Sequence, residues 1–278
     1  MQFSKTEKSG NSEQYRVYLT THKGLLRDSN EDNFTVNCTC KRVEYNNVNF
    51  SAKYDAPLLA AVFDGLGGEA MGEHAAFISA RAAKALYEGI KRFPEKSVDK
   101  LITAFTANAN DEIRGFMDQN RCESGGSTVA GVVIKNEIVY PFSLGDSRIY
   151  LLRDAKLSQI SNDHTLAVKK FEAGIYTFEE AEKSPDSHKL TLFLGVDHYR
   201  QGIDPQIYEP IILHKSDKLL LCSDGLYDEC SLKQIEKTLK NNPDTPTLSL
   251  VKAAVKNGGR DNVTCLLVER AIYEKEND

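Results

Sequence analysis

Four times along this chain an aspartate sits in a glycine turn at the edge of an apolar run, and this recurrence constrains the fold more than any other feature. Residues 60–68 (AAVFDGLGG) read as a short buried strand that delivers one carboxylate, Asp64, onto a turn. The three glycines that follow tolerate positive φ and let an ion or ligand approach the backbone. A helix is expected to begin immediately after, near Glu69. Residues 219–225 (LLLCSDG) repeat the design with Asp224, and residues 142–146 (FSLGD) with Asp146. Residues 258–264 (GGRDNVT) set Asp261 in a glycine turn ahead of an apolar run. Asp-Gly after a strand is ordinarily a plain turn, but four aspartates in like settings at strand edges point to a shared site.

The chain has 278 residues, enough to bury a large core as one big domain or two small ones. Its net charge of −5 gives no support to a general nucleic-acid or anionic-membrane surface. A chain of this sign that acts on phosphates needs local positive charge, from metal ions or a few arginines. No apolar run reaches the ~18–20 residues of a membrane span, and the polar start MQFSKTEKSG does not read as a signal peptide, so a cytoplasmic location is expected. The six cysteines match no paired C-x-x-C zinc pattern. Cys222 and Cys265 lie in apolar runs and read as core residues, whereas Cys38 and Cys40, two apart on a possible strand, would point the same way. Reduced, structural thiols are expected.

Residues 1–14 read as a polar tail and 271–278 as another, on either side of one domain at 15–270. Strands are expected over 15–21, 34–37, 48–50 and 57–63. Two helices follow. Met71, Ala75, Ile78, Ala82, Leu86, Ile90 and Phe93 form one apolar stripe, closed by Pro94, and Val98, Leu101, Ile102, Phe105, Ala109, Ile113 and Phe116 form a second. Strands at 128–134, 138–144, 148–153 and 156–160 are joined by tight turns, the first at Lys135–Asn136, and such meanders are antiparallel. Residues 162–189 are charged and break the pattern, with one short capped helix over 177–183 (TFEEAEK). Strands resume at 207–213 and 218–222, then come two short helices, 232–239 and 246–256, and a last strand, 263–269. Helices and strands in blocks indicate an α+β fold.

If Asp64, Asp224 and Asp261 converge, three ionised carboxylates repel strongly unless neutralised. All-oxygen ligation by Asp and backbone carbonyl suits Mg²⁺ or Mn²⁺ rather than zinc. Two such ions ~3.5–4 Å apart sharing one carboxylate would hold a bridging water as hydroxide, positioned for in-line attack on phosphorus. Arg27, just before Asp28, Glu31 and Asp32, can grip phosphate bidentately. His74 reads as solvent-facing or a capping neighbour, His164 as ordering the entry to the excursion that follows it, and Asp228 as a helix cap. Ser127 and Ser223 lack both a G-x-S-x-G setting and an obvious His partner.

These segments resemble the metal-dependent protein phosphatases of the PPM (PP2C-like) family, bacterial branch. The matching stretches are RDSNEDNF (27–34), VFDGLGG (62–68), GGST (125–128), LGDSRIY (144–150), NDHT (162–165), LCSDGL (221–226) and GRDNVT (259–264), in the family's order. The resemblance implies a four-layer α-β-β-α sandwich, two antiparallel sheets flanked by helices, and hydrolysis of phosphoserine and phosphothreonine in proteins. It implies that Asp64 bridges two Mn²⁺ or Mg²⁺ ions, that the Gly65 carbonyl binds one, and that Asp224 and Asp261 complete the core site. Glu31 and Asp32 would hold metal-bound waters, Asp146 with Asp224 would bind a third ion, and Arg27 would clamp the substrate phosphate. Residues 162–194 would form a mobile flap subdomain, in which EAGIYTFEEAEKSP (172–185) resembles the flap helix-turn-helix. The implied partners are phosphorylated proteins and an opposing Ser/Thr kinase, with no nucleic acid or membrane, and the chain would act as a monomer.

Three departures stand out. Leu66 occupies a position where many eukaryotic members carry a protonating His. Leu192 and Phe193 replace polar positions, and Ser184 stands where the flap often has His before Pro. The alternative is an inactive scaffold of the same fold, against which the retained Asp64, Asp224 and Asp261 argue. An aspartyl-phosphate phosphotransferase would want a second Asp where Leu66 sits.

Overall fold

A computed structural model describes residues 14–67, 71–197, 203–242 and 244–271. Strand Leu58–Phe63 is buried along its whole length. Successive side chains of a strand point to opposite faces, so this run must be covered on both sides. Leu58, Ala60 and Val62 face a layer shared with Val17, Leu19, Leu219, Leu221, Leu266 and Val268. Leu59, Ala61 and Phe63 face the two long helices, Met71–Arg92 and Val98–Asn120, through Ala75, Leu86, Ile102 and Phe105.

The same alternation runs through the other sheet. Leu219 and Leu221 point inward, while Leu220 and Cys222, with Cys265 and Leu267, pack outward on Ile235, Leu239, Leu250 and Ala254. Those four residues belong to helices Leu232–Asn241 and Pro246–Asn257. Helices, sheet, sheet and helices thus form the expected α-β-β-α sandwich. One sheet runs in the order Lys156–Gln159, Arg148–Arg153, Lys218–Cys222, Val263–Arg270, Gln14–His22, Asn47–Asp55. The other runs Gln206–Ile207, Ile138–Leu144, Val129–Lys135, Leu58–Phe63, Asn33–Val36, Thr39–Cys40, with Ile211–Ile212 also on Ile138–Leu144. Every pairing in both is antiparallel.

Several boundaries differ from the sequence expectation, for local reasons. The hairpin turn lies at Asn136–Glu137, one residue later, because both take positive φ (49° and 67°) as a type I′ turn requires. The strand expected over 48–50 extends over Asn47–Asp55, one face half-buried and the other exposed, which hid it among polar residues. The strand expected over 207–213 breaks into Gln206–Ile207 and Ile211–Ile212 on either side of Pro210. Cys38 and Cys40 do not share a strand: Cys38 is exposed next to Asn37, a positive-φ turn residue, and only Cys40 lies on Thr39–Cys40. All six cysteines are free. Gln14 opens the first strand, and its carbonyl accepts from the Ala271 N–H at 2.8 Å. The rest of the two expected tails, Gly68, and the expected helix start at Glu69 lie outside the described residues.

Residues 162–194 hold a second helix beside the one expected from the residues alone, in line with the helix-turn-helix that the resemblance implies. Helix Leu166–Glu172 precedes helix Phe178–Lys183, which carries the anticipated capping box between Thr177 and Glu180, and a 3-10 turn, Pro185–His188, follows. Bridge Thr165–Leu190 closes the segment on itself, and bridge Ser127–Leu194 with the His164 N–H to Gly145 carbonyl bond ties it to the sandwich.

The buried face of Leu58–Phe63 yields a direct test. Leu59→Ala is expected to lower stability in urea unfolding by about 2–5 kcal/mol, the cost of lost burial plus a residual cavity, and Leu59→Met by under ~1.5 kcal/mol.

Candidate metal centre

The two sheets end together, and their ends carry the acids. Asp64 follows strand Leu58–Phe63 of one sheet. Asp224 opens the short helix Asp224–Tyr227 after strand Lys218–Cys222 of the other, and Asp261 lies just before Val263–Arg270 of that same sheet. All three line one cavity of about 580 Å³, together with Arg27, Glu31, Gly65, Leu66 and His188. The convergence expected of these aspartates is therefore present.

The backbone at Asp64 is fixed by residues of two other motifs. Its N–H donates to Thr128 Oγ1 at 3.1 Å, and its carbonyl accepts from the Thr128 N–H at 2.9 Å. Thr128 Oγ1 also meets Ser147 Oγ at 2.7 Å. Gly65 is squeezed between the start of the first long helix and the Glu31 backbone. A Cβ there would lie 2.3 Å from the Gly72 carbonyl oxygen and 2.7 Å from that of Glu31, so no larger residue fits.

Electrostatically the cavity is frustrated. Burial pushes the Asp64 carboxyl well above the usual range, and Asp224, Asp32, Asp146 and Asp261 push it further. Asp224 is raised likewise by burial, then by Asp146, Asp261, Asp228 and Asp32. Burial lifts Asp146 to about 7 with help from Asp163, and raises Glu31, an effect that Arg27 opposes. An all-oxygen, acid-rich wall that resists ionisation without a counter-charge fits a hard divalent cation, Mn²⁺ or Mg²⁺, and contains no thiolate to draw a softer metal.

Asp32 shows how the strain is carried. It is 1% exposed, and its Oδ2 accepts from Ser223 Oγ and Thr264 Oγ1, both at 2.7 Å. Thr21 Oγ1, which accepts from Asn30 Nδ2 at 2.8 Å, lies 2.7 Å from Thr264 Oγ1. The Oδ1 of Asp32 is buried with no hydrogen-bond partner among the described residues. Burial pushes the Asp32 carboxyl up to about 6 against the pull of those two hydroxyls. The nearby cation is Lys41, 2% exposed, whose ammonium donates to the Asn30 carbonyl at 2.7 Å. Burial lowers the Lys41 pKa, and the charge of Asp32 opposes that effect.

The remaining expected residues fall as follows. Arg27 stands at the rim, more than half exposed, with Nη2 donating to Asp261 Oδ2 at 2.6 Å. The neighbouring Asn262 ties the loop together. Its Oδ1 accepts from the Glu31 N–H at 2.7 Å, and its Nδ2 donates to the Lys23 and Ser29 carbonyls. Asp146 is buried, and its carbonyl accepts from Tyr227 Oη at 3.0 Å. The Tyr227 ring lies 3.6 Å under the Arg148 guanidinium, which grips Asp163 through Nε and Nη2. His74 stacks on Phe116 outside the cavity, and His164 Nδ1 accepts from the Gly145 N–H. Ser127 Oγ donates to the Thr128 carbonyl and Ser223 Oγ to Asp32, so neither is a poised nucleophile. Leu192 and Phe193 pack on the helix-side core rather than line the cavity.

One expectation is corrected. Asp228 does not cap the following helix, because Ser231 does so with Gln234 in a capping box. Asp228 instead lines the cavity beside His188. Lys41, Ser223, Thr264, Asn262 and His188 were not anticipated as site residues. Ser223 and Thr264 do lie inside the SDG and DNVT motifs, where a hydroxyl next to Asp224 and another three residues after Asp261 were the available signal.

A stability profile follows from the raised acids. A carboxyl lifted on folding favours the native state less as pH rises past its unfolded value of 3.8, and for Asp32 and Asp146 the loss accrues up to about 6 and 7. In EDTA the chain should therefore melt at a higher temperature at pH 5 than at pH 8. Saturating Mn²⁺ at pH 7.5 should raise the melting temperature. Asp64→Asn should raise it in EDTA and remove most of the Mn²⁺ effect. Equal EDTA melting temperatures at both pH values would contradict the account.

Comparison with known proteins agrees with this geometry. The profile of the family described as Protein phosphatase 2C matches residues 47–265. A serine/threonine phosphatase, Stp, from Listeria welshimeri is 30% identical over 270 residues, covering 93% of this chain and 97% of that protein. The crystal structure of the Mycobacterium tuberculosis serine/threonine phosphatase PstP superposes with a TM-score of 0.76 at 26% identity, over 92% of this chain and 98% of that one. The PstP catalytic domain solved with two manganese ions gives a TM-score of 0.74 at 26% identity, over 94% of this chain and all of that one. With a match over most of its length and the acids of both sheets at one cavity, the chain belongs to the protein phosphatase 2C family.

Proposed function

We propose that this chain is a metal-dependent protein phosphatase that hydrolyses phosphoserine and phosphothreonine esters at the cavity between its sheet ends. The observation that carries the reading is that Asp64, from one sheet, and Asp224 and Asp261, from the other, line a single cavity. Its named relatives are serine/threonine phosphatases, and the PstP catalytic domain was solved with two manganese ions.

Asp64, the Gly65 carbonyl, Asp224 and Asp261, which line the cavity together, would hold two Mn²⁺ or Mg²⁺ ions, with Asp64 as their shared ligand. When bound, the ions supply charge neutralisation, an activated water and polarisation of phosphate oxygens. The protein supplies the rest. The Ser223 and Thr264 hydroxyls fix the Asp32 carboxylate through Oδ2, and Asp32 and Glu31 would hold metal-bound waters. Asp146, adjoining Asp224 electrostatically, serves a third ion. Arg27 meets the incoming phosphate: one nitrogen is on Asp261 and the guanidinium is otherwise open to solvent. Planar, permanently charged guanidinium matches a phosphate dianion in two-point contact. Leu66 on the wall offers no proton, so no side chain at that position protonates the leaving alkoxide.

The reading extends to a single domain over 15–270, with residues 162–194 as a flap over the cavity. It further takes phosphoproteins as substrates and a Ser/Thr kinase as the opposing enzyme, with the chain acting as a cytoplasmic monomer. No helix among the described residues is long and apolar enough to cross a membrane.

Phosphate release from a phosphothreonine peptide tests the reading. Wild type should turn over with Mn²⁺ and stop in EDTA, and Asp224→Asn should lose at least ~100-fold in kcat. Arg27→Ala should act chiefly on KM, by about 10-fold or more, as expected for a lost phosphate contact made in the ground state. Metal-independent turnover, or full activity in Asp224→Asn, would overturn it.

A further inference from the structure

Leu66 is the single large apolar side chain on the cavity wall, so the cavity can grip a phosphate but has little with which to choose among the residues beside it. That choice falls to the rim. Immediately before Arg27 in the chain stand Leu25 and Leu26, 59% and 71% exposed. Scattered exposed leucines are ordinary on a protein surface. Of the large apolar side chains left well exposed among the described residues, however, these two run directly into a residue that lines the cavity.

Their exposure does not come from a slack loop. Residues 23–29 are pinned along the turn that carries Asp261. The Leu25 N–H donates to the Gly259 carbonyl at 2.7 Å, and Asn262 Nδ2 donates to the Lys23 and Ser29 carbonyls, each at 2.9 Å. Lys23 Nζ closes the loop on itself by donating to the Arg27 carbonyl at 3.1 Å. Gly24 has a φ of +79°, and a Cβ there would lie 2.3 Å from the Asp261 carbonyl oxygen, so the chain approaches as closely as glycine allows. The backbone on both sides of the leucines is held, while their side chains are left in water beside the arginine at the cavity mouth.

We propose that Leu25 and Leu26 form a specificity subsite for the substrate chain, which favours phosphothreonine and phosphoserine flanked within two residues by an apolar side chain such as Leu, Ile, Met or Phe. The proposal rests on the phosphatase reading, because it takes Arg27 as the group that meets the phosphate. Consecutive Cα atoms are about 3.8 Å apart in both chains, so a residue one or two places from the phosphorylated one reaches those one or two places before Arg27. The occupant follows from this continuity: a chain whose phosphate is held by Arg27 lies alongside the leucines. Their contact with an apolar side chain removes surface of both partners from water, and the pinned loop has little freedom left to lose on binding.

Phosphothreonine peptides that differ only in carrying Leu or Ser at the one or two positions on either side test this with Mn²⁺. Wild type should give a kcat/KM about 10-fold higher for at least one Leu-flanked peptide, the low end of what one apolar group gains in a closed pocket. The difference should lie in KM, because the subsite is remote from the reacting bond and binds ground and transition states alike. Leu25→Ser combined with Leu26→Ser should bring the ratio to within about 2-fold, whereas the volume-conserving Leu25→Met with Leu26→Met should keep it above about 5-fold. Equal kcat/KM for all the peptides in wild type, or a ratio that survives the double Ser substitution, would overturn this inference alone. A surviving ratio together with loss of a wild-type dimer in sedimentation would assign the leucines to a contact between copies instead. Failure of every peptide to release phosphate with Mn²⁺ would overturn the phosphatase reading with it.

Discussion

Mutual repulsion among buried carboxylates is the interaction on which the rest of this molecule turns. Burial raises the Asp64 and Asp224 carboxyls most, and the charges of Asp32, Asp146 and Asp261 raise both further. A fold that gathers such groups gives up stability to do so, and native proteins keep arrangements of that kind where function requires them. The sandwich makes the concentration feasible. Its inner layer of Leu, Val and Ala side chains locks two antiparallel sheets together, so that strand ends from both reach the same place. Hydrophobic burial, distributed over three layers, sustains the polar strain localised at one edge.

The polar network under the cavity decides which strain is tolerated. Two hydroxyls satisfy one oxygen of Asp32 and leave the other bare, while Lys41 stands one carbonyl away as a buried positive charge. Ammonium and carboxylate each lose hydration on burial, and each reduces the other's penalty. Arg27 does the same at the rim for Asp261, in an exposed pair whose solvent screening keeps it exchangeable. Permanent compensation lies below the acids and exchangeable compensation above, an asymmetry suited to a site that must take up cations and phosphate from solvent.

Much of this was legible in the sequence because periodicity and turn chemistry act locally. The two long helices announced themselves through apolar residues at three- and four-residue steps, and Asp64, Asp224 and Asp261 through glycine turns beside apolar runs. What was not legible depends on contacts across the chain. Strand Asn47–Asp55 has only one half-buried face, so its polar alternation resembled a loop. Lys41 reads as an ordinary surface lysine until the fold seals it against Asn30. His188 and Asp228 are 40 residues apart, and no spacing rule pairs them. The helix Leu166–Glu172 has one buried side chain, Ala167, and so leaves almost no apolar stripe to detect.

The central claim is that these gathered acids exist to be neutralised by divalent cations held between the two sheet ends. Anomalous diffraction from crystals grown with Mn²⁺ tests it most directly. The account predicts at least two anomalous peaks inside the cavity, within bonding distance of the Asp64, Asp224 and Asp261 carboxylates. Well-diffracting crystals with Mn²⁺ in excess and no anomalous peak at those three residues would contradict it.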